Sequence, residues 1–326
     1  MKTLIIPCAG RRIYDSLPLY LHIHPEGKMI VRKTLDGMPV NLFDRVIVTI
    51  LRCDLQYDAA KLIEENTKDI KNVEICVLDE ETSGAAETVY QTLLQKQVQG
   101  AVVVKDVTSQ LELVSLDSEN FIAGLNLSKF KGDVHSLRQK SFITLNEQGQ
   151  VLDIIEKQIR SEIIGVGLYG FRDSNDFIFA YDRLKDEDYS IDKLYISHII
   201  SYLMGYRGYI FHYMETAYFE DWGSEIAWSE IQNRYATLFV DFDQLFGKSI
   251  DFSEQEKQLK DLKQLSKKGA CLIGFTACTN VMANTWIQCF EKNNLHFSQI
   301  IYGCSFSRIK RIISSTTELH KNLYIR

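Results

Sequence analysis

The chain has 326 residues and carries 37 Lys and Arg against 43 Asp and Glu, a net charge of −6 with histidine neutral. With 45% hydrophobic and 25% charged residues it has a globular composition, which excludes disordered and collagen-like chains, and its length suits about two domains. The acidic balance excludes a broad electrostatic surface for nucleic acid and leaves a small phosphorylated ligand as the better partner. Seven cysteines, Cys8, Cys53, Cys76, Cys271, Cys278, Cys289 and Cys304, include no C-x-x-C pair and read as reduced core thiols of a cytoplasmic protein. The apolar opening stops at Gly10-Arg11-Arg12, too short for an export signal or a membrane span.

Continuous apolar runs at 3–7, 45–51, 73–78 and 101–105 predict buried parallel strands, with helical patterns at 57–65 and 85–95 between them. Such alternation predicts an α/β fold, a mixed and mostly parallel sheet with helices on both faces. Ligands of these sheets lie beyond the carboxyl ends of the strands, which points to the residues after Pro7 and after Lys105. Short strands follow at 142–145, 150–156 and 165–171, then a helix at 192–204 with Leu194, Ile196, Ile199, Ile200 and Leu203 on one face. From 235 onward the alternation restarts: a strand at 236–240, a charged helix at 253–268, a strand at 270–275 and a helix at 280–292. The expected domains are 1–232 and a smaller, Rossmann-like 233–326.

The N-terminal residues carry a resemblance. Ile5-Ile6-Pro7-Cys8-Ala9-Gly10-Arg11-Arg12, Leu17-Pro18-Leu19-Tyr20 and Pro25-Glu26-Gly27-Lys28-Met29-Ile30 resemble the signature of the sugar-phosphate nucleotidyltransferases. Further segments resemble that family in its order: Ser83-Gly84-Ala85-Ala86-Glu87-Thr88, Val103-Val104-Lys105-Asp106, Ile155-Glu156-Lys157, Gly165-Val166-Gly167-Leu168-Tyr169-Gly170-Phe171 and Asp221-Trp222-Gly223-Ser224. The resemblance implies an NTP and a phosphorylated small molecule, such as a sugar phosphate for surface polysaccharide, as substrates. It implies that Pro7, Ala9, Gly10, Gly84, Glu87 and Lys105 bind nucleotide, that Arg11, Arg12, Lys28 and Lys157 hold phosphates, and that Asp106 and Asp221 hold Mg2+. Mg2+ takes one or two carboxylates and completes its shell with phosphate oxygens, so two acids suffice. The sequence departs from the pattern where Leu19 replaces the lysine after the loop proline and where Val107 follows Asp106 instead of a second acid.

In the second half, Leu238-Phe239-Val240-Asp241-Phe242-Asp243 resembles the first motif of the haloacid dehalogenase superfamily, with Thr276 ending the next strand and Lys310 as third-motif lysine. That resemblance implies a phosphate-accepting Asp241 beside Asp243. The last segment, Leu323-Tyr324-Ile325-Arg326, ends in arginine where the superfamily has a metal-binding acid, which favours a noncatalytic domain. Three functions follow: an Mg2+-dependent nucleotidyltransferase, a lapsed binding or scaffold protein partnering a pathway enzyme, and a phosphatase. No nucleic acid or membrane partner is expected, and homo-oligomerisation stays open.

Overall fold

A computed structural model describes residues 1–10, 17–113, 116, 120–132, 134–187, 193–234, 237–246, 252–267, 269–309 and 323–325. The chain forms two compact units, Met1–His22 with Met29–Trp228, and Ile23–Lys28 with Ser229–Arg326. The division falls within the helix Glu225–Arg234, and no local pattern announces that 23–28 joins the second unit.

The first unit holds strands β1 (Lys2–Pro7), β2 (Arg45–Leu51), β3 (Val73–Leu78), β4 (Ala101–Lys105), β5 (Ser109–Leu113), β6 (Phe121–Asn126), β7 (Ser141–Leu145), β8 (Val151–Glu156), β9 (Ile163–Phe171) and β10 (His212–Asp221). They form one sheet in the order β3-β2-β1-β4-β9-β6-β10-β5, with β7 joined to β8 and β9. β3, β2, β1 and β4 run parallel; β9 lies antiparallel between β4 and β6; β10 is parallel to β6 and antiparallel to β5. This is a mixed α/β fold with a parallel centre. Leu4, Ile5, Ile6, Val102 and Val104 have no exposure, as apolar runs buried on both faces require.

The helix Ala85–Gln95 turns Ala86, Val89 and Leu93 into the same core, a three- and four-residue spacing that marks one helical face. The helix expected at 192–204 runs Ile196–Arg207 and stops at Gly208, whose φ of +66° is the left-handed cap glycine adopts at little cost. The chain goes from β1 out to β2 and β3 and returns to β4 on the other side of β1. The order therefore reverses between β1 and β4, and a crevice opens beyond their carboxyl ends.

The second unit is a four-stranded parallel sheet in the order β13-β12-β11-β14, built from β11 (Thr237–Asp241), β12 (Cys271–Thr276), β13 (Gln299–Tyr302) and β14 (Leu323–Ile325). Phe242, fully buried, packs against Phe290 with ring centres 4.8 Å apart and against Phe297 at 5.0 Å. No described helix is long and apolar enough to cross a membrane. The cysteines are free thiols, but only Cys76 and Cys304 are buried; Cys53 is exposed and the other four are intermediate, because strand ends and helix flanks carry them and not the core positions.

Candidate active site

A cleft of about 400 Å³ opens in the first unit where β1 and β4 end. Pro7 and Gly10 line its floor. Ala9 is buried beneath it, its carbonyl accepting from both the N–H and the hydroxyl of Thr82 at 3.0 Å. These bonds, with the bridge between Gly10 and Thr82, tie the loop after β1 to the turn before the helix Ala85–Gln95. Arg11 and Arg12 lie outside the described residues.

Ala85 and Ala86 present the start of that helix to the cleft, where free N–H groups and the helix dipole favour an anion. Glu87 does not line the cleft; its carboxylate accepts the Ser83 N–H at 2.7 Å and fixes the turn. A Cβ on Gly84 would stand 2.6 Å from Lys193 Cε, near the flexible end of that side chain. Its absence lets Lys193, also on the cleft wall, lie along the turn.

The two acids come together through the sheet. β5 follows β4 closely and pairs with β10 in a register that sets Asp221 opposite Ser109. Trp222, fully buried, then donates its backbone N–H to Thr108 O at 2.9 Å and its indole N–H to Val107 O at 2.8 Å, clamping the end of β10 onto the loop after Asp106. Both aspartates line the cleft. Asp221 is the last residue of β10.

Asp106 donates its N–H to Gly167 O at 2.7 Å, and its Oδ2 lies 2.6 Å from where a Cβ on Gly167 would be. With φ at +75°, Gly167 is required both by conformation and by space. Burial pushes the Asp106 carboxyl up; Lys105 and Lys140 pull it down, Asp221 adds to the rise, and Lys193 opposes it. The donor set fits a hard divalent cation, since two carboxylates face one cavity open to phosphate oxygens. Among the described residues no group of three or more His, Cys, Asp or Glu is placed to hold a metal, so the ligand would supply the remaining oxygens.

Lys105 takes a different place from the one expected. Its side chain has no exposure and does not line the cleft. The ammonium donates to Ser109 O at 2.7 Å, to Ser109 Oγ at 2.8 Å and to Asp106 O, stapling the loop that carries Asp106. Burial lowers its pKa to about 7, against the pull of Asp106.

The opposite wall is built by β7, β8 and the start of the helix Ile196–Arg207. Lys157, at the end of β8 with φ of +57°, donates from its ammonium to Tyr195 Oη at 2.7 Å. The ammonium of Lys157 lies 4.7 Å and that of Lys193 5.2 Å from the centre of the Tyr195 ring. Two like charges beside one ring repel each other, and an anionic ligand between them relieves that repulsion. Glu156 accepts from Ser197 Oγ at 2.8 Å; burial raises its carboxyl, with the Ser197 hydrogen bond and Lys157 opposing. Lys140, one residue before β7, forms an ion pair with Asp221 at 2.7 Å. Lys140, Lys193 and Ser197 carry no local motif; Lys140 alone is legible once the β7–β8 register is known, because its carbonyl accepts from the N–H of Lys157 at 2.9 Å.

Lys28 is exposed in the 23–28 segment and does not line the cleft. Leu19, at the position of the missing lysine, is buried in the turn Leu19–Leu21. In the second unit, Asp241 accepts from the N–H groups of Asp243 and Gln244 at 3.0 and 3.2 Å and caps the one-turn helix Phe242–Leu245. Asp243 accepts from the Thr276 hydroxyl and from the Ala277 N–H, each at 2.6 Å. Lys310 lies outside the described residues.

A mixed sheet whose parallel centre reverses its strand order beside this cleft defines the fold of the first unit. Solved structures share it. The nucleoside-diphosphate-sugar pyrophosphorylase of Vibrio cholerae RC9 superposes with a TM-score of 0.58 at 22% identity, over 70% of this chain and 98% of that one. The inositol-1-phosphate CTP transferase of T. maritima gives 0.54 at 12%, over 69% and 90%. A Bacillus anthracis protein assigned as a glucose-1-phosphate thymidylyltransferase and solved with sucrose gives 0.54 at 14%, over 78% and 98%. No family model matches the chain. No curated protein matches it by sequence.

Proposed function

We propose that the first unit transfers a nucleotidyl group from an NTP to a phosphorylated small molecule, such as a sugar phosphate for surface polysaccharide, and releases pyrophosphate. The observation that carries this reading is the convergence of Asp106 and Asp221 on one cleft whose walls bring two helix N-termini and the ammonium groups of Lys140, Lys157 and Lys193. The loop at Gly10 and the N-terminus of the helix Ala85–Gln95 receive the nucleotide phosphates. Lys157 and Lys193 hold the acceptor phosphate beside Tyr195, and Glu156, held by Ser197, accepts from acceptor hydroxyls. An oxygen of the acceptor phosphate bonds to the α-phosphorus while the α–β bridging bond breaks, so positioning and charge neutralisation do the work and no general base is needed. Asp106 and Asp221 would hold Mg2+, which supplies neutralising charge to the phosphates.

The test is pyrophosphate release across CTP, UTP, GTP and dTTP with a panel of sugar phosphates and polyol phosphates. Release with at least one pair, lost in Asp106→Ala, supports the reading; silence across the panel removes it. One observation favours a second reading, a noncatalytic partner protein: Leu19 is buried where a phosphate-binding lysine is expected. Calorimetry separates the two, since Mg2+-dependent micromolar binding of an NTP supports the enzyme and no binding of any NTP supports the scaffold.

For the second unit we propose a haloacid dehalogenase-like fold without phosphatase activity. Both oxygens of Asp243 are held within the unit and Asp241 caps its own helix. Hydrolysis of p-nitrophenyl phosphate that Asp241→Asn removes would overturn this.

A further inference from the structure

Lys140 does more in this cleft than add positive charge. Its ammonium stands 2.7 Å from Asp221 Oδ1, with the two side chains 16% and 5% exposed, and 5.4 Å from the centre of the Phe219 ring. The same Oδ1 accepts the Gly223 N–H at 3.2 Å. An ion pair this buried contributes little net stability, because desolvating both charges offsets their attraction, so its presence calls for a reason other than folding. The charge of Lys140 also reaches Asp106, whose carboxyl it pulls down.

Consider the charge at the base of the cleft. Asp106 and Asp221 together carry −2 when ionised; Lys140 offsets one of these charges from within the cleft, and Lys105, buried behind the Asp106 loop, acts on both acids as well. A divalent cation needs lone pairs on both acids, and one oxygen of Asp221 is already held by an ammonium and a backbone N–H. With two carboxylates and, among the described residues, no third acid, histidine or cysteine placed to hold a metal with them, the protein alone offers a weak site. Phosphate oxygens change the balance: they complete a cation's shell and give the ammonium another anion to pair with.

We infer that Lys140 keeps the cation's place on Asp221, so that the free protein binds divalent metal weakly and the metal enters together with the nucleotide. Lys140 is in this sense a positioning residue that sets the order of binding. The inference rests on the proposed role of Asp106 and Asp221.

The test uses Mn2+ alone, titrated into the full chain and followed by electron paramagnetic resonance. Lys140→Met and Lys140→Gln bind Mn2+ at least about tenfold more tightly than the wild type, because a positive charge has left the immediate surroundings of the site. Adding Asp221→Asn to Lys140→Met cancels the gain. A folded neutral variant that binds Mn2+ no more tightly than the wild type overturns the inference. Removing one partner of a buried pair can destabilise the fold, so Lys140→Arg is the companion variant: it keeps the charge and binds Mn2+ as weakly as the wild type, and tighter binding there also overturns the inference. If the wild type and all variants ignore Mn2+ both alone and with CTP, UTP, GTP or dTTP, the metal role of Asp106 and Asp221 falls and takes this inference with it. If metal binds with nucleotide but the neutral variants match the wild type, only the inference falls.

Discussion

Each unit brings two aspartates together where strands end, and the surroundings of the two pairs differ. In the first unit Asp106 and Asp221 arrive from different strands and face a cleft lined by lysines. In the second, Asp241 and Asp243 are two residues apart and are held close to home: one caps the helix that follows β11, the other binds the end of β12 through Thr276 and Ala277. The same residue type at a strand end faces a lysine-lined cleft in one place and fastens its own unit in the other, and a metal role is proposed for the first alone. What separates them is their setting: Asp106 and Asp221 come from different strands to one cleft, with Lys140 and Gly223 holding a single oxygen of Asp221, whereas both oxygens of Asp243 are bound by the neighbouring strand end and Asp241 caps the turn that follows it.

The largest effect expected from this contrast is on turnover. Asp106→Asn and Asp221→Asn lower pyrophosphate release by on the order of 10²–10³-fold or more, the scale for losing a charge-stabilising group, whereas Asp241→Asn and Asp243→Asn leave it within about twofold. Steady-state assays on all four variants check this, and a large loss from the second pair would erase the distinction. Next is Gly167→Ala, which places a methyl 2.6 Å from Asp106 Oδ2 at a φ of +75°. The strained backbone costs about 1–2 kcal/mol in denaturant melts, and displacement of Asp106 reduces activity as well. A variant as active as the wild type would show that the position of Asp106 is not critical.

Asp243→Ala should cost the second unit about 1–3 kcal/mol, because the Thr276 hydroxyl and Ala277 N–H lose their acceptor, with nucleotide affinity in the first unit unchanged. Smallest is the surface pair Arg45–Glu74, at 2.7 Å with the glutamate side chain 36% exposed. The Arg45 hydrogen bond lowers the Glu74 carboxyl below its ordinary 4.5. Protons therefore bind the unfolded chain more readily, so the pair's stabilisation is present above pH 4.5 and is lost as pH falls through the lowered folded value. Solvent screening limits it to less than about 1 kcal/mol, and Glu74→Gln should flatten that part of the stability-versus-pH curve.

Much of the first unit was legible in the sequence. β1, β2 and β4 are continuous apolar runs because both faces of each are covered, β3 at the sheet edge buries only Cys76 and Leu78, and the resemblance already singled out Asp106, Lys157 and Asp221. β10 was not legible, since its ten residues alternate irregularly between exposed and buried and a register shift between Thr216 and Tyr218 breaks the period of two. Lys105 was misplaced because burial of a strand-end lysine depends on the later turn at Ser109 folding over it. Lys140 and Lys193 were missed because a lysine becomes a site residue through its neighbours in space, here Asp221 and Gly84, and neither lies near it in the chain. Glu87 was expected to bind nucleotide through the resemblance; the bond its carboxylate accepts from the Ser83 N–H is a contact within the turn that the resemblance does not announce.

The central claim is that nucleotide binds between the loop at Gly10 and the two acids. Its most direct test is a crystal structure of the protein with a non-hydrolysable analogue of whichever NTP binds best, in Mg2+. The account predicts triphosphate density beside Gly10 and the start of the helix Ala85–Gln95, with a cation touching Asp106 and Asp221 and the Lys140 ammonium moved off Asp221. Nucleotide bound elsewhere on the protein, or bound in the cleft with neither aspartate touching a cation, would contradict it.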